Sequence, residues 1–403
     1  MKKKLLFISG SIGLGHVARD FAITEELEKQ NPDLEISWLA SDLSREYILE
    51  KGGKLALGGE NYNLKENMLA EKHANIHKLN VTTLGVKFMK HLDENFEVIK
   101  HVTSSTKYDL IVGDEAYELT SGYRKDPKLK TTPIIMIYDF VGFDTMTYNP
   151  LEWLSAFLIN RVSAKGYFEY KKNNFRVTDQ ILFVGEREDV PDRKFGILNP
   201  NRREWADTFC MYVGYILGFK PEDYLDKKKV RKQLGYGDDP LIICSIGGTA
   251  VGKSLLELCG QAYPLMKKKV PNLRMVLVCG PRLPTESLNI PEGVDIRGFV
   301  PDLYEHFAAC DLAIVQGGSN TNWELTALRR PFINFPLKNH FEQAFIAENL
   351  ARRGAGIEMS YHKTTPEILA ETALANLDKK VSYKPIPTDG AERAAKIIGE
   401  YLV

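Results

Sequence analysis

VQGGSNTNWELTALRRPFINFPLKNHFEQAFIAENLARRGAG, Val315 to Gly356, is the stretch whose reading decides the fold of this 403-residue chain. The apolar run 312–315 breaks at Gly317-Gly318-Ser319-Asn320-Thr321, a helical pattern follows over 323–328, and a second apolar run, 332–335, stops at Pro336. Short apolar runs that alternate with helical patterns are the mark of a parallel sheet covered on both faces. The glycines let a ligand approach the backbone, and the N–H groups and positive end of the following helix favour an anion. Ser319 and Thr321 add hydroxyl donors, Glu324 comes one turn later, and the loop after Pro336 delivers His340, Glu342 and Gln343 to the next helix.

The same alternation runs outward from this stretch. Strands are expected at 4–9, 35–40, 110–113, 134–138 and 180–184, and again at 241–246, 275–279, 294–298, 312–315 and 332–335. A polar region, 185–205, and a short strand and turn place a boundary near 214–221. The fold class is therefore α/β, with two Rossmann-like domains: residues 1–217, residues 218–389, and a closing helix in 390–403.

The first strand ends in GSIGLGHVARD, residues 10–20, which puts His16 at the entry to a helix behind a glycine-rich turn. An imidazole titrates near neutrality, so it can take a proton from an attacking hydroxyl. Asp114, at the end of the strand 110–113, is the candidate to orient it and to stabilise the imidazolium. Two look-alikes compete. Gly13-Leu14-Gly15-His16-Val17-Ala18 fits the dinucleotide fingerprint, but the acidic residue expected after the second strand, Asp42, comes late, 29 residues from Gly13. Residues 247–254, GGTAVGKS, fit the P-loop pattern letter for letter, yet no acidic residue ends a neighbouring strand to organise magnesium.

Gly317-Gly318, Glu324 seven residues past the first glycine, and Glu342-Gln343 after Pro336 resemble the donor signature of the GT-B glycosyltransferases, the superfamily of the UDP-glucuronosyltransferases and the peptidoglycan N-acetylglucosaminyltransferase. One departure is Gln316, where many members carry histidine. The resemblance implies two facing Rossmann-like domains with the donor cleft between them and a closing helix that crosses back to the first domain. It implies that Gly13 and Gly15 belong to the donor-binding residues, that Gly247, Gly248, Thr249, Gly317, Gly318, Ser319, Asn320 and Thr321 serve the donor's diphosphate, Glu324 the ribose, Glu342 and Gln343 the sugar, and the backbone of Phe299 and Val300 the base. His16 and Asp114 take the catalytic places. The implied reaction is inverting transfer of a sugar from a nucleotide diphosphate, a UDP-sugar, to an acceptor hydroxyl, with no metal and no cofactor beyond the co-substrate. An epimerase or hydrolase on this fold, a P-loop NTPase and a non-catalytic binder are the alternatives.

Composition bounds the partners. The 53 basic and 53 acidic residues cancel, so no global field recruits nucleic acid. Five cysteines, Cys210, Cys244, Cys259, Cys279 and Cys310, form no CxxC and read as buried thiols in the cytoplasm. The start, MKKKLLFISGSIGLGHVA, imitates a signal peptide, but its glycines and His16 fit a strand and loop better. The acceptor, a lipid, an aromatic small molecule or a glycan, is expected on the first domain. There FVGFDTMTYNPLEWLSAFLINRV, residues 140–162, reads either as an apolar mouth resting peripherally on a membrane or as a core helix. The core reading is favoured, because such stripes are usually buried.

Overall fold

A computed structural model describes residues 2–10, 14–63, 66–84 and 91–402. They form two compact units: Met1–Leu69, Val81–Gly218 and Pro387–Val403 in the first, Ala70–Asn80 and Phe219–Ile386 in the second. Each unit is built on a six-stranded sheet in which every pair of neighbours is parallel.

In the first unit β1 (Lys4–Ile8), β2 (Glu35–Leu39), β3 (Leu110–Asp114), β4 (Ile134–Tyr138), β5 (Gln180–Val184) and β6 (Cys210–Gly214) stand in the order β2-β1-β3-β4-β5-β6. The strands read as continuous apolar runs because both faces are covered. Leu6, Ile8, Ile111, Met136 and Phe183 pack to one side with Phe96, Tyr123 and Trp205. Leu5, Phe7, Val112, Ile135 and Leu182 pack to the other with Ile23, Leu27 and Ile398. This two-residue alternation is the pleat of the strand made visible. The helix Gly390–Glu400 buries Ala391, Ala394, Ala395 and Ile398 along one face and packs on the helix Gly15–Gln30. A Cβ on Gly390 would stand 2.6 Å from the Tyr215 carbonyl oxygen, so only glycine lets the helix begin there.

In the second unit β7 (Leu241–Ser245), β8 (Arg274–Val278), β9 (Asp295–Arg297), β10 (Leu312–Gln316), β11 (Phe332–Phe335) and β12 (Ile357–Glu358) stand in the order β12-β11-β10-β7-β8-β9. The two-residue edge strand β12 is too short to show any periodicity and is absent from the sequence reading. The sequence division leaves residues 70–80 in the N-terminal domain, whereas here they belong to the second unit. The reason is local: the Leu79 N–H donates to the Lys338 carbonyl and the Lys338 N–H to that of His77, each at 3.1 Å.

Both strand orders reverse direction at one point, between β1 and β3 in the first unit and between β7 and β10 in the second. Loops leave such a point in opposite directions and open a crevice at the carboxyl ends of the strands, the usual place for a ligand in an open parallel sheet.

Candidate active site

The residues singled out in the sequence fall into two groups, one in each unit. In the first unit His16 lies in the first turn of the helix that follows β1, and Asp114 is the last residue of β3. His16 Nδ1 is 2.8 Å from Asp114 Oδ2. A carboxylate accepts, so we assign the proton to Nδ1, which leaves the Nε2 lone pair free to take another. A Cβ on Gly10 would come within 2.9 Å of His16 Nδ1 and 3.2 Å of the Asp114 carbonyl oxygen, so this glycine makes room for the pair.

Arg19, one turn past His16, grips the same aspartate. Its Nε donates to Asp114 Oδ2 at 3.1 Å, Nη2 to Oδ1 at 2.5 Å, and Nη1 to Asp139 Oδ2 at 2.6 Å. Arg19 Nη2 also lies 2.9 Å from His16 Nδ1. Burial opposes ionisation of Asp114 and Asp139, but the charges of Arg19 and His16 outweigh it and hold both below the usual carboxylate range. Two neighbours are driven the other way. Burial, and then the negative charge of Asp114, pushes Asp20 well up, with the Ser9 hydroxyl donating to its Oδ2 at 2.6 Å. Burial, and then the charges of Asp139 and Asp114, does the same to Glu115, whose backbone sits at φ +51°, in the left-handed region. The cluster thus sets one guanidinium against two ionised carboxylates.

In the second unit the loops after β7 and β10 flank the switch point. Gly247 has φ +77°, and no atom would meet a Cβ there, so the backbone is both glycine-dependent and open. Gly318 is equally open, whereas a Cβ on Gly317 would strike Gln343 Oε1 at 2.7 Å and the Pro336 Cα at 3.0 Å. The helix here begins at Ser319, earlier than the 323–328 pattern, so Ser319, Asn320 and Thr321 form its first turn rather than a loop. Asn322, fully buried, donates from Nδ2 to the Gln316 and Gly318 carbonyls at 3.2 and 2.7 Å and holds the glycine turn in shape. Gln316 Oε1 has no partner and stands where a Cβ on Gly252 would lie within 2.3 Å, so the loops after β7 and β10 touch through it.

Glu324 lies one turn into the same helix. Among the described residues its carboxylate has no hydrogen-bond partner, and burial pushes it up to about 7. Gln343 Oε1 accepts from the Leu337 N–H at 2.8 Å, so that oxygen braces the turn after β11, and Glu342 beside it is partly buried. His340 caps the helix Phe341–Arg353, and burial pushes it down to about 4. Phe299 and Val300 follow β9, with Phe299 half-exposed. Thr249 and Gly248 precede the short turn Ala250–Gly252, and Lys253 pairs with Glu257 along its own helix at 3.6 Å. A P-loop lysine turns back to phosphate; this one does not. Gly15 opens the helix of His16, and Gly13 lies outside the described residues. Among the described residues no group of three or more His, Cys, Asp or Glu is arranged to hold a metal ion.

Sequence reasoning missed Arg19, Asp139, Glu115 and Asn322. Arg19, Asp139 and Glu115 come from a helix turn and strand ends that only the sheet order brings together, whereas Asn322 acts within its own glycine turn. It also favoured the wrong face for the helix Pro150–Asn173. That helix buries Glu152, Ser155, Ala156, Asn160, Ala164 and Tyr167 and turns Leu151, Trp153, Leu154, Phe157, Leu158 and Val162 outward. Small and polar side chains allow close packing against the unit, so the apolar stripe is the outer face. Tyr148, Pro150, Trp153, Leu154 and Phe157 line a depression on it. No helix among the described residues is long and apolar enough to cross a membrane.

Comparison with known proteins agrees with this layout. Residues 242–400 match the glycosyltransferase family 28 C-terminal domain. An uncharacterized glycosyltransferase of Methanopyrus kandleri is 28% identical over 198 residues, 49% of this chain; the match spans about half of that relative's own length, 56%. The UDP-N-acetylglucosamine--N-acetylmuramyl-(pentapeptide) pyrophosphoryl-undecaprenol N-acetylglucosamine transferase of Acetivibrio thermocellus is 23% identical over 417 residues, covering 98% of each chain. Among solved structures, the glycosyltransferase of kitacinnamycin superposes with a TM-score of 0.61 at 14% identity, covering 100% of this chain and 95% of that one. The chain has the GT-B fold, two Rossmann-like α/β units, and its C-terminal half is similar in sequence to glycosyltransferases.

Proposed function

We propose that this GT-B chain is an inverting glycosyltransferase: it moves a sugar from a UDP-sugar to an acceptor hydroxyl, the second unit holding the donor and the first supplying the base. The observation that carries the donor assignment is Glu324, a partly buried carboxylate without a hydrogen-bond partner among the described residues, one turn past an open glycine turn. Ribose hydroxyls are the donors it lacks. The N–H groups of Gly248 and Thr249 and of Ser319 to Thr321 meet the diphosphate, while those of Gly247 and Gly318 hold the turns by donating to Ser245 Oγ and the Gln316 carbonyl; Phe299 and Val300 read the base through their backbone. The name of the Acetivibrio relative specifies UDP-N-acetylglucosamine, which supports UDP as the nucleotide.

In the reaction the acceptor oxygen attacks the anomeric carbon as His16 Nε2 takes its proton, and the bond to the diphosphate breaks on the opposite face. The diphosphate leaves as an anion stabilised by the N–H groups of the two turns. Asp114 fixes the tautomer, and the unbalanced negative charge of the Arg19–Asp114–Asp139 cluster favours the imidazolium as it forms.

A pH test follows from Glu324. Its raised value means that the neutral form favours folding: this contribution is full below the ordinary carboxylate value and is lost as pH rises through about 7. Hydroxyl donors reward the charged form, so the affinity for UDP-glucose, whose diphosphate does not titrate in this range, should rise between about pH 6 and pH 8. Glu324→Gln should abolish that rise, and Glu324→Ala should weaken binding by about 1.5–3 kcal/mol at the upper pH. Calorimetry showing the same affinity for all three proteins would remove Glu324 from the donor site.

The outward apolar face of Pro150–Asn173, with Arg161, Lys165, Lys171 and Lys172 exposed on the same helix, supports an acceptor presented at an anionic lipid surface. We expect the protein to sediment with phosphatidylglycerol vesicles and Trp153→Asp/Phe157→Asp to lose about tenfold or more in partitioning. If the parent ignores vesicles, the acceptor is a soluble aromatic compound or glycan.

A further inference from the structure

Residues 70–80 lie on the second unit and are fastened to it at two places. At one, Glu71 Oε1 accepts from the Ala250 N–H at 3.2 Å and from Arg282 Nε at 2.7 Å, while Arg282 Nη2 donates to Oε2 at 3.0 Å. At the other, His77 is buried, stacks on Tyr361 with ring centroids 4.9 Å apart, and bonds through Nε2 to the Phe335 carbonyl at 3.0 Å. Burial pushes His77 down to about 4, so the ring is neutral and Nε2–H is the donor. The pairing of Leu79 and His77 with Lys338 completes this anchor.

The sheet order gives these anchors their meaning. Ala250 follows β7 and Arg282 follows β8, whereas Phe335 and Lys338 belong to the end of β11; β10 stands between them. The segment therefore reaches from one side to the other of the strand that ends in Gly317-Gly318. Its single carboxylate at the β7 end engages a backbone N–H and a guanidinium, the two groups that a phosphate oxygen takes when it binds a glycine-rich loop. Arg282 was not singled out in the sequence.

We propose that Glu71 is an internal stand-in for the donor's diphosphate, that Arg282 with the Ala250 N–H is part of the diphosphate subsite, and that the nucleotide sugar binds by displacing residues 70–80. The proposal rests on the donor reading given above and adds a regulation to it: the free chain holds its own anion site closed, and donor binding releases the segment. At the β7 end the lost carboxylate contacts are replaced by phosphate contacts on the same donors, the Ala250 N–H and the Arg282 guanidinium.

Titration calorimetry of the full chain with UDP and with inorganic pyrophosphate tests it. Glu71→Gln should bind both about 3–30-fold more tightly, because a competing closed state that hides the site lowers the apparent affinity by the competent fraction. Arg282→Gln should bind both more weakly than the parent. His77→Ala, which loosens the other anchor, should shift affinity in the same direction as Glu71→Gln. Hydrogen exchange on the unaltered protein gives a readout free of mutation: saturating UDP should speed exchange at Leu79 and its neighbours. Equal or weaker UDP binding by Glu71→Gln, or slower exchange across 70–80 with UDP bound, would overturn the proposal and make Glu71 a brace for Arg282. UDP binding to neither parent nor variants would instead overturn the donor reading itself.

Discussion

His16→Ala lowers glycosyl transfer by about 10²–10⁴ while leaving UDP affinity within experimental error of the parent, if the imidazole is the base. The size follows from what a positioned proton acceptor contributes. The sparing of UDP follows from the division of labour proposed above, with the donor assigned to the second unit. Asp114→Asn should also lower transfer, because the amide supplies no charge to the imidazolium and turns its NH₂ toward a donor, Arg19 bonding both Asp114 oxygens. The pH dependence of kcat/KM separates this from a fold defect: the fall on acidification that protonation of an imidazole causes should be missing in His16→Ala. Transfer above about a third of the parental rate in that variant would assign proton removal to another group.

Arg19→Gln should cost about 3–5 kcal/mol in stability, the usual penalty for leaving a buried charge without its partner. The guanidinium is 2% exposed and holds Asp114 and Asp139 together, and glutamine can replace neither the charge nor the fork. Because both carboxylates are held below their ordinary range, the stability they contribute is present above about pH 4 and is lost as the pH falls further. The gap between parent and variant in urea midpoint should therefore narrow on acidification. Arg19→Lys, which keeps the charge, should recover part of it. A loss below about 1 kcal/mol at neutral pH would mean that the cluster carries a proton in place of the ion pairs assigned to it.

The strands were legible because a parallel strand buried on both faces shows as an uninterrupted apolar run; β4 and β5 fall at the positions the letters indicate. The glycine turns were legible as well, since each interrupts such a run at the carboxyl end of a strand. The Arg19 cluster was not. Asp114 was singled out beside His16, but Arg19, Glu115 and Asp139 occupy one helix turn and the ends of two strands, and only the adjacency of β1, β3 and β4 makes them its neighbours. The helix Pro150–Asn173 failed for a different reason. Its apolar stripe is plain in the sequence, but which face turns inward is set by how closely Ser155, Ala156, Asn160 and Ala164 let the helix approach, and periodicity carries no such information. Residues 70–80 show no pattern that assigns them to one unit or the other; their place depends on a backbone pairing with Lys338 and on one ion pair.

Release of UDP from UDP-sugars, followed with and without a panel of lipid, aromatic and glycan acceptors, distinguishes transfer from hydrolysis. A transferase should form UDP only with an acceptor, yield a glycosylated product of inverted anomeric configuration, and lose at least about a hundredfold in rate in His16→Ala. Equal UDP release without any acceptor, with free sugar as the product, would contradict the transferase reading and identify a hydrolase.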